Sequence, residues 1–266
     1  MRVSFISKDV RRHSVYPRVC AALETRGVEA RTVVAERALF RMSDVAPQAD
    51  LYVLRTRTLL GFSAAAALSL AGARLLVPLE RERVVRNRFL VQQALVAASI
   101  PAPRAYMAAF AADLAPVVRD RGALILKPHE VGAGKATLVV RSESELPRDM
   151  PGPIFAQEFV PHSTADIKMY GIGSRIFAIR RPFPARTISD KLGAFFTPTS
   201  EMIALATRCR EAFGLELYGI DLIEGPDGLA VVDVNSTPGF KGVRGAADSI
   251  ADLILSRLSE PAVEAS

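Results

Sequence analysis

The sequence predicts an α/β (α+β) chain in three units: a doubly wound parallel sheet, then a small mixed unit, then an antiparallel sheet. Three observations carry this. Over residues 1–82, short β-branched runs alternate with helical spacings, the pattern of a parallel sheet with helices on its faces. Over 83–160, strands follow one another around a glycine-containing loop. Over 161–258, apolar runs are joined by hairpin chemistry, as in Glu224-Gly225-Pro226-Asp227-Gly228. The last residues, 259–266, read as a frayed tail.

The elements follow in order. Residues 3–7 are a buried strand. The helix over 16–26 places Val19 and Leu23 one turn apart and stops at Gly27. Residues 28–34 and 51–54 are further strands, 64–71 is an alanine-rich helix ended by Gly72, and 74–77 is a fourth strand. A charge-rich link at 79–83 leads to a helix over 84–98, with Phe89, Leu90 and Leu95 on one face. Residues 124–128 are a strand with Lys127 at its end, 137–140 its hairpin partner, and 154–160 another strand. In the last unit, 166–170 and 175–180 pair about a turn at 171–174. Helices over 200–213, ended by Gly214, and over 246–258 complete the chain.

Bulk composition excludes several classes. A chain of 266 residues, 50% hydrophobic and 23% charged, has an ordinary globular balance. No apolar run approaches the ~20 residues of a membrane span. Residues 1–7 read as a strand rather than a signal peptide, because no small-residue cleavage site follows. The only two cysteines, Cys20 and Cys209, lie on helical patterns and imply a reducing, cytoplasmic compartment. Net charge is +6, yet the arginines are dispersed and aromatics are few, which argues against nucleic acid as a partner. Arginines near a phosphate or carboxylate site fit better. Oligomeric state is not encoded in any visible stripe.

The strongest motif is Val231-Val232-Asp233-Val234-Asn235-Ser236-Thr237-Pro238-Gly239-Phe240. Its β-branched start reads as a buried strand, ended by a Pro-Gly turn. Side chains at i and i+2 share a face, so Asp233 and Asn235 can grip one hard cation. Twelve residues earlier, Asp221 sits in the apolar strand Tyr218-Gly219-Ile220-Asp221-Leu222-Ile223. If the two strands pair, three oxygen donors converge, a set suited to Mg²⁺, with Mn²⁺ as a substitute. Lys127 ends an apolar strand, so its ammonium either snorkels to water or meets an anion. Gly132 and Gly134, beside Lys135, fit a plain hairpin loop or a backbone cradle for phosphate equally well.

An acid on one strand followed by Asp-x-Asn-x-x-Pro-Gly-Phe on the next resembles the ATP-grasp superfamily, over roughly residues 80–257. The resemblance is to the ribosomal-protein glutamate ligases and glutathione synthetase, with features of the inositol-phosphate ATP-grasp kinases. It implies ATP and Mg²⁺ as cofactors, with metal ligands Asp221, Asp233 and Asn235. It makes 83–160 a nucleotide-covering lid unit, with Lys127 and the Gly132, Gly134 and Lys135 loop on the phosphates. Arg88 stands where the family has a phosphate-facing lysine, and Lys168 matches a basic residue facing the phosphates. Gln157, Glu158, Phe159 and Val160 resemble the strand that meets adenine. His162 replaces the usual ribose-binding acid.

The resemblance implies a carboxylate–amine ligase acting through an acyl phosphate, or alternatively a kinase of cyclitol hydroxyls. An ATP-binding regulator without turnover is the third reading. For the ligase, Arg180, Arg186 and Lys168 are the expected catalytic residues, although Ile188 replaces the family's asparagine and only Gly193 remains of its glycine pair. Arg181 resembles the kinases instead, and Lys241 stands where the ligases often have glutamate. The acceptor, expected to be a small anionic molecule, would lie between these residues and the first unit, where Ser7 and Tyr16 are candidates.

Overall fold

The computed structural model describes residues 1–9, 14–129, 137–150, 152–161, 165–182, 187–236 and 238–260. Three sheets organise them. The first holds β1 (Arg2–Ser7), β2 (Glu29–Val34) and β3 (Leu51–Arg55) in the order β2-β1-β3, all parallel. β3 and the middle of β1 are buried, as strands covered on both faces require, whereas β2 at the edge carries exposed Glu29, Arg31 and Thr32. On one face Ile6, Tyr52 and Leu54 pack against Ala65 of α2 (Leu59–Leu70). On the other, Val3, Phe5 and Val53 share a core with Val19 and Leu23 of α1 (Tyr16–Glu24). That same core takes in Tyr170, Ile172 and Ile250, so the parallel sheet is welded to later parts of the chain.

The fourth strand expected at 74–77 is replaced by a single parallel bridge between Tyr52 and Leu75. Pro78 follows two residues after Leu76. It caps α3 (Leu79–Arg86), so the chain turns into a helix before a strand can grow. The link expected at 79–83 is thus helical. The helix expected over 84–98 is split by Asn87. Its extended backbone (φ −109°, ψ 113°) breaks the run, and its side chain accepts from the Phe89 amide at 2.9 Å to start α4 (Arg88–Ala97).

The second sheet is antiparallel, in the order β4-β7-β5-β6: β4 (Ala105–Ala108), β7 (Ile154–Glu158), β5 (Leu124–Pro128) and β6 (Leu138–Val140). Strand β4 and helix α5 (Ala115–Arg121) were not legible in the sequence. The third sheet runs β10-β9-β8-β11-β12, also antiparallel. It comprises β8 (Ala165–Ile172), β9 (Arg175–Pro182), β10 (Ala194–Phe196), β11 (Leu217–Gly225) and β12 (Gly228–Asn235). A short helix, α6 (Ile188–Leu192), joins β9 to β10. Helix α7 (Ser200–Phe213) is bounded by Thr199, which accepts from the Met202 amide at 3.2 Å, and by Gly214 at φ 60°. It buries Met202, Leu205, Ala206, Cys209 and Phe213 against β8 and β11, and α8 (Ala246–Ser259) closes the chain. Among the described residues, no helix is long and apolar enough to cross a membrane.

Candidate active site

The site is set by the register of the β11–β12 hairpin. Gly225 faces Gly228, whose φ of 99° suits glycine and closes the turn at Pro226-Asp227. Counting back, Leu222 faces Val231, but the register then shifts, leaving Val232 as a bulge, and Asp221 faces Asp233. Without that shift the two acids would lie on opposite faces of the sheet. Asn235, two residues beyond Asp233, faces Gly219. A Cβ on Gly219 would meet Pro238 at 3.1 and 3.2 Å, so glycine here lets the following turn fold over the strand end.

Across β11, Asp221 faces Lys168 of β8, and Lys168 faces Ile179 of β9. Residues opposite one another share a face, so Asp233, Asp221 and Lys168 form one row, with Arg181 two residues beyond Ile179. Lys168 Nζ donates to Asp221 Oδ1 at 2.6 Å, and Arg181 Nη2 lies 3.7 Å from the same oxygen. The expected metal donors Asp221, Asp233 and Asn235 therefore come together with Lys168, Arg181, Lys241 and Arg57 around a cavity of about 300 Å³. Four cations face two carboxylates there. Asn235 is buried, and its Oδ1 accepts from Arg57 Nη2. The loop after β12 is anchored by Phe240, a buried ring 5.4 Å from that of Tyr170. Its left-handed φ of 47° is held by that packing.

Lys127, from β5 of the second sheet, and Arg88, at the start of α4, reach this region. Lys127 Nζ donates to Gln157 Oε1 at 2.8 Å. Burial lowers the pKa of its ammonium, while the charges of Asp233 and then Asp221 pull it back up. Arg88 Nη1 donates to the Pro128 carbonyl at 2.6 Å, and Asp233 likewise offsets its burial. Lys127, part-buried with the neutral Gln157 oxygen as its hydrogen-bond acceptor, is a cation suited to an anion. Gln157 is buried on β7. Glu158 accepts from the Tyr106 hydroxyl at 2.7 Å, and the Phe159 amide donates to the Ala123 carbonyl at 2.8 Å. Phe159 and Val160 lie just past β7, both half-buried.

Other expected residues are placed elsewhere. Arg180 is exposed on the face opposite Lys168 and Arg181, over the Phe196 ring at 5.3 Å. Strand alternation separates it from the cavity, so the arginine at Asp221 is Arg181, not Arg180. Tyr16 is buried beneath the Arg55 guanidinium at 3.3 Å, and Ser7 donates to the Asp9 carbonyl at 2.7 Å, so neither lines the cavity. Gly132, Gly134, Lys135, His162 and Arg186 lie outside the described residues.

Two participants went unread in the sequence. Arg57 follows β3, at the carboxyl end of a parallel strand, where ligand sites of open sheets concentrate; that rule was a usable signal. Glu82, on α3, offered none. It is 3% exposed, and Ser236, the residue after Asn235, donates to its Oε2 at 2.9 Å. Burial pushes its carboxyl up to about 7, against the pull of the Ser236 bond and of Arg86, Arg57 and Arg55.

Comparison with known proteins agrees with this architecture. Residues 85–257 match the model of the RimK-like ATP-grasp domain. A probable alpha-L-glutamate ligase 2 of Shewanella is 29% identical over 120 residues, 42% of this chain and 40% of that protein. A probable alpha-L-glutamate ligase of Mannheimia succiniciproducens is 29% identical over 173 residues, 59% of this chain and 58% of that one. The chain thus spans about half the length of the curated relatives it matches. Among solved structures, a RimK-domain ATP-grasp protein of Sphaerobacter thermophilus superposes with a TM-score of 0.79 at 20% identity, covering 95% of this chain and 99% of that one. D-cycloserine synthetase DcsG gives a TM-score of 0.76 at 16% identity, covering 97% and 100%. At such identities the structures speak to fold alone. With more than half its length matched by the family model, the chain belongs to the RimK-like ATP-grasp family.

Proposed function

We propose that the chain is a Mg²⁺- and ATP-dependent carboxylate–amine ligase working through an acyl phosphate. The observation that carries this reading is the pairing of Asp221 with Asp233. With Asn235, it sets three hard oxygen donors into one cavity wall beside Lys168 and Arg181. Two carboxylates and a carboxamide fit an ion that takes few protein ligands and completes its shell with phosphate and water. Among the described residues no group of three His, Cys, Asp or Glu gathers, so these residues build no all-protein cage. When bound there, Mg²⁺ supplies charge neutralisation to the triphosphate.

The chain's own groups do the rest. Lys127 and Arg88 hold phosphate oxygens, and residues 157–160 border the base. Lys168, drawn from Asp221, and Arg181 stabilise negative charge on the acceptor carboxylate as it is phosphorylated and then attacked by the amine. Lys241 and Arg181 favour an anionic acceptor. Gly132, Gly134, Lys135, His162 and Arg186 keep the parts the family resemblance gives them. The division into 1–82, 83–160 and 161–258 is part of the proposal, supported by each sheet falling within one unit.

The names of the sequence relatives favour a carboxylate over a hydroxyl as the attacking group, and L-glutamate as the first amine to test. A precursor peptide is a second acceptor class, since the ATP-grasp ligase PsnB, similar in fold, was solved with one. Hydroxylamine added during ATP turnover with pooled acids, amines and cyclitols tests the chemistry. A hydroxamate is the expected product. A stable phosphate ester with no hydroxamate would assign the kinase reading instead.

A further inference from the structure

The Asn235 side-chain oxygen has two claimants. In the proposed site it is a donor to the divalent ion, yet in the structure it accepts from Arg57 Nη2, 178 residues away and just past β3. Each claim alone is reasonable, but a guanidinium and a divalent cation at one oxygen repel each other. Arg57 also differs from the other cavity cations in how it is held. Arg86 fixes its backbone, donating to the Arg57 carbonyl at 3.1 Å and to the Thr56 carbonyl at 2.7 Å, while Arg86 itself lies over the Phe62 ring at 4.5 Å. The anchor is thus the main chain, and the guanidinium is left to choose among acceptors in the cavity. Of the two carboxylates that line the cavity, Asp221 is engaged by Lys168 and Arg181, and Asp233 accepts from the Val234 amide at 3.1 Å.

We propose that Arg57 is an exchangeable counter-cation: it leaves Asn235 when the divalent ion takes that oxygen, and its freed guanidinium then binds an oxyanion on the acceptor side of the cavity. Ion and acceptor anion consequently favour one another: the ion releases Arg57 to the anion, and the anion draws Arg57 off the ion's oxygen. The planar fork of arginine suits a carboxylate or a phosphate group equally, so the ligand chemistry named is an oxyanion. This inference rests on the metal and nucleotide reading of the preceding section.

The test is calorimetric binding of Mn²⁺ with ADP, which does not require turnover. In Arg57→Gln the complex binds tighter than in the wild type, on the order of tenfold, the scale of one charge-assisted hydrogen bond no longer competing. In an Asn235→Ala background the same substitution has no effect, because the contested oxygen is gone. Sodium sulfate at constant ionic strength tightens Mn²⁺–ADP binding in the wild type relative to Arg57→Gln. Unchanged or weaker binding by Arg57→Gln, with a thermal midpoint showing the variant folded, overturns the exchange. An identical sulfate response in both proteins overturns the oxyanion role. A wild type that fails to bind Mn²⁺–ADP at all would instead remove the metal reading on which both stand.

Discussion

Replacing Glu82 with glutamine is predicted to stabilise the protein at alkaline pH and to leave it nearly unchanged in mild acid. Glu82 is buried, with Ser236 on Oε2 and, among the described residues, no hydrogen-bond partner for Oε1. Its carboxyl is raised from the ordinary 4.5 to about 7. The sign follows from proton binding. Between pH 4.5 and 7 the folded chain holds a proton that the unfolded chain has released, so stability falls as pH rises through this window. Below 4.5 both states are protonated and the penalty is absent. Above 7 it is fully present, and at 1.36 kcal/mol per pKa unit it reaches roughly 3 kcal/mol. Glutamine keeps an acceptor for Ser236 and cannot ionise. Its advantage is therefore about zero at pH 4.5 to 5 and ~3 kcal/mol at pH 8.5, roughly 6 to 12 °C in thermal midpoint for a chain of this size. Paired calorimetric melts of wild type and Glu82→Gln across that range check it. A difference that does not grow with pH, or a wild type more stable than the variant at pH 8.5, would refute the raised carboxyl and with it the picture of Glu82 as a buried acid held against its ionisation.

Three further outcomes follow from the same geometry. Asp233→Ala should reduce ADP release by at least ~10³-fold, if it is a metal ligand, while the circular dichroism spectrum stays native; turnover near wild type would remove it from the metal set. Lys127→Met, which keeps the stem and removes the charge, should weaken ADP binding by on the order of 10- to 100-fold and leave the melting midpoint equal or higher, because a desolvated ammonium is gone. Isothermal titration and a melt together decide it, and an unstable variant with normal affinity would make Lys127 structural. Phe240→Ala should cost about 3 to 5 kcal/mol in urea unfolding, since a buried ring beside Tyr170 is deleted and the loop after β12 loses its anchor. A loss under 1 kcal/mol would show that the loop is held by something other than that ring.

What could be read from the chain depended on whether the determining contacts were local. Helix α7 was bounded correctly because both its limits are written beside it, Thr199 before and Gly214 after. The Asp221 and Asp233 pairing was legible because a short turn fixes the hairpin's order, although the bulge at Val232 that brings the two acids face to face was not. Local signals also misled: the helical spacing over 84–98 runs straight through Asn87, whereas Asn87 caps a new helix. The choice between Arg180 and Arg181 was undecidable from their neighbours, since adjacent strand residues differ only in face. That face is set by the pairing of Lys168 with Ile179 on the next strand. Arg57 and Glu82 lie further still from local reach. One touches the strand end from 178 residues away and the other from 154, and only tertiary packing brings them behind Asn235 and Ser236. The residues that carry charge into the site were thus visible as residue types, while those that restrain it were visible only through the fold. The restraint has a consistent physical form: the strand end bearing Asn235 and Ser236 is held by one positive and one acidic side chain, each from a different element. A change in either should be felt at the other before it is felt at Asp221, which has its own partners in Lys168 and Arg181.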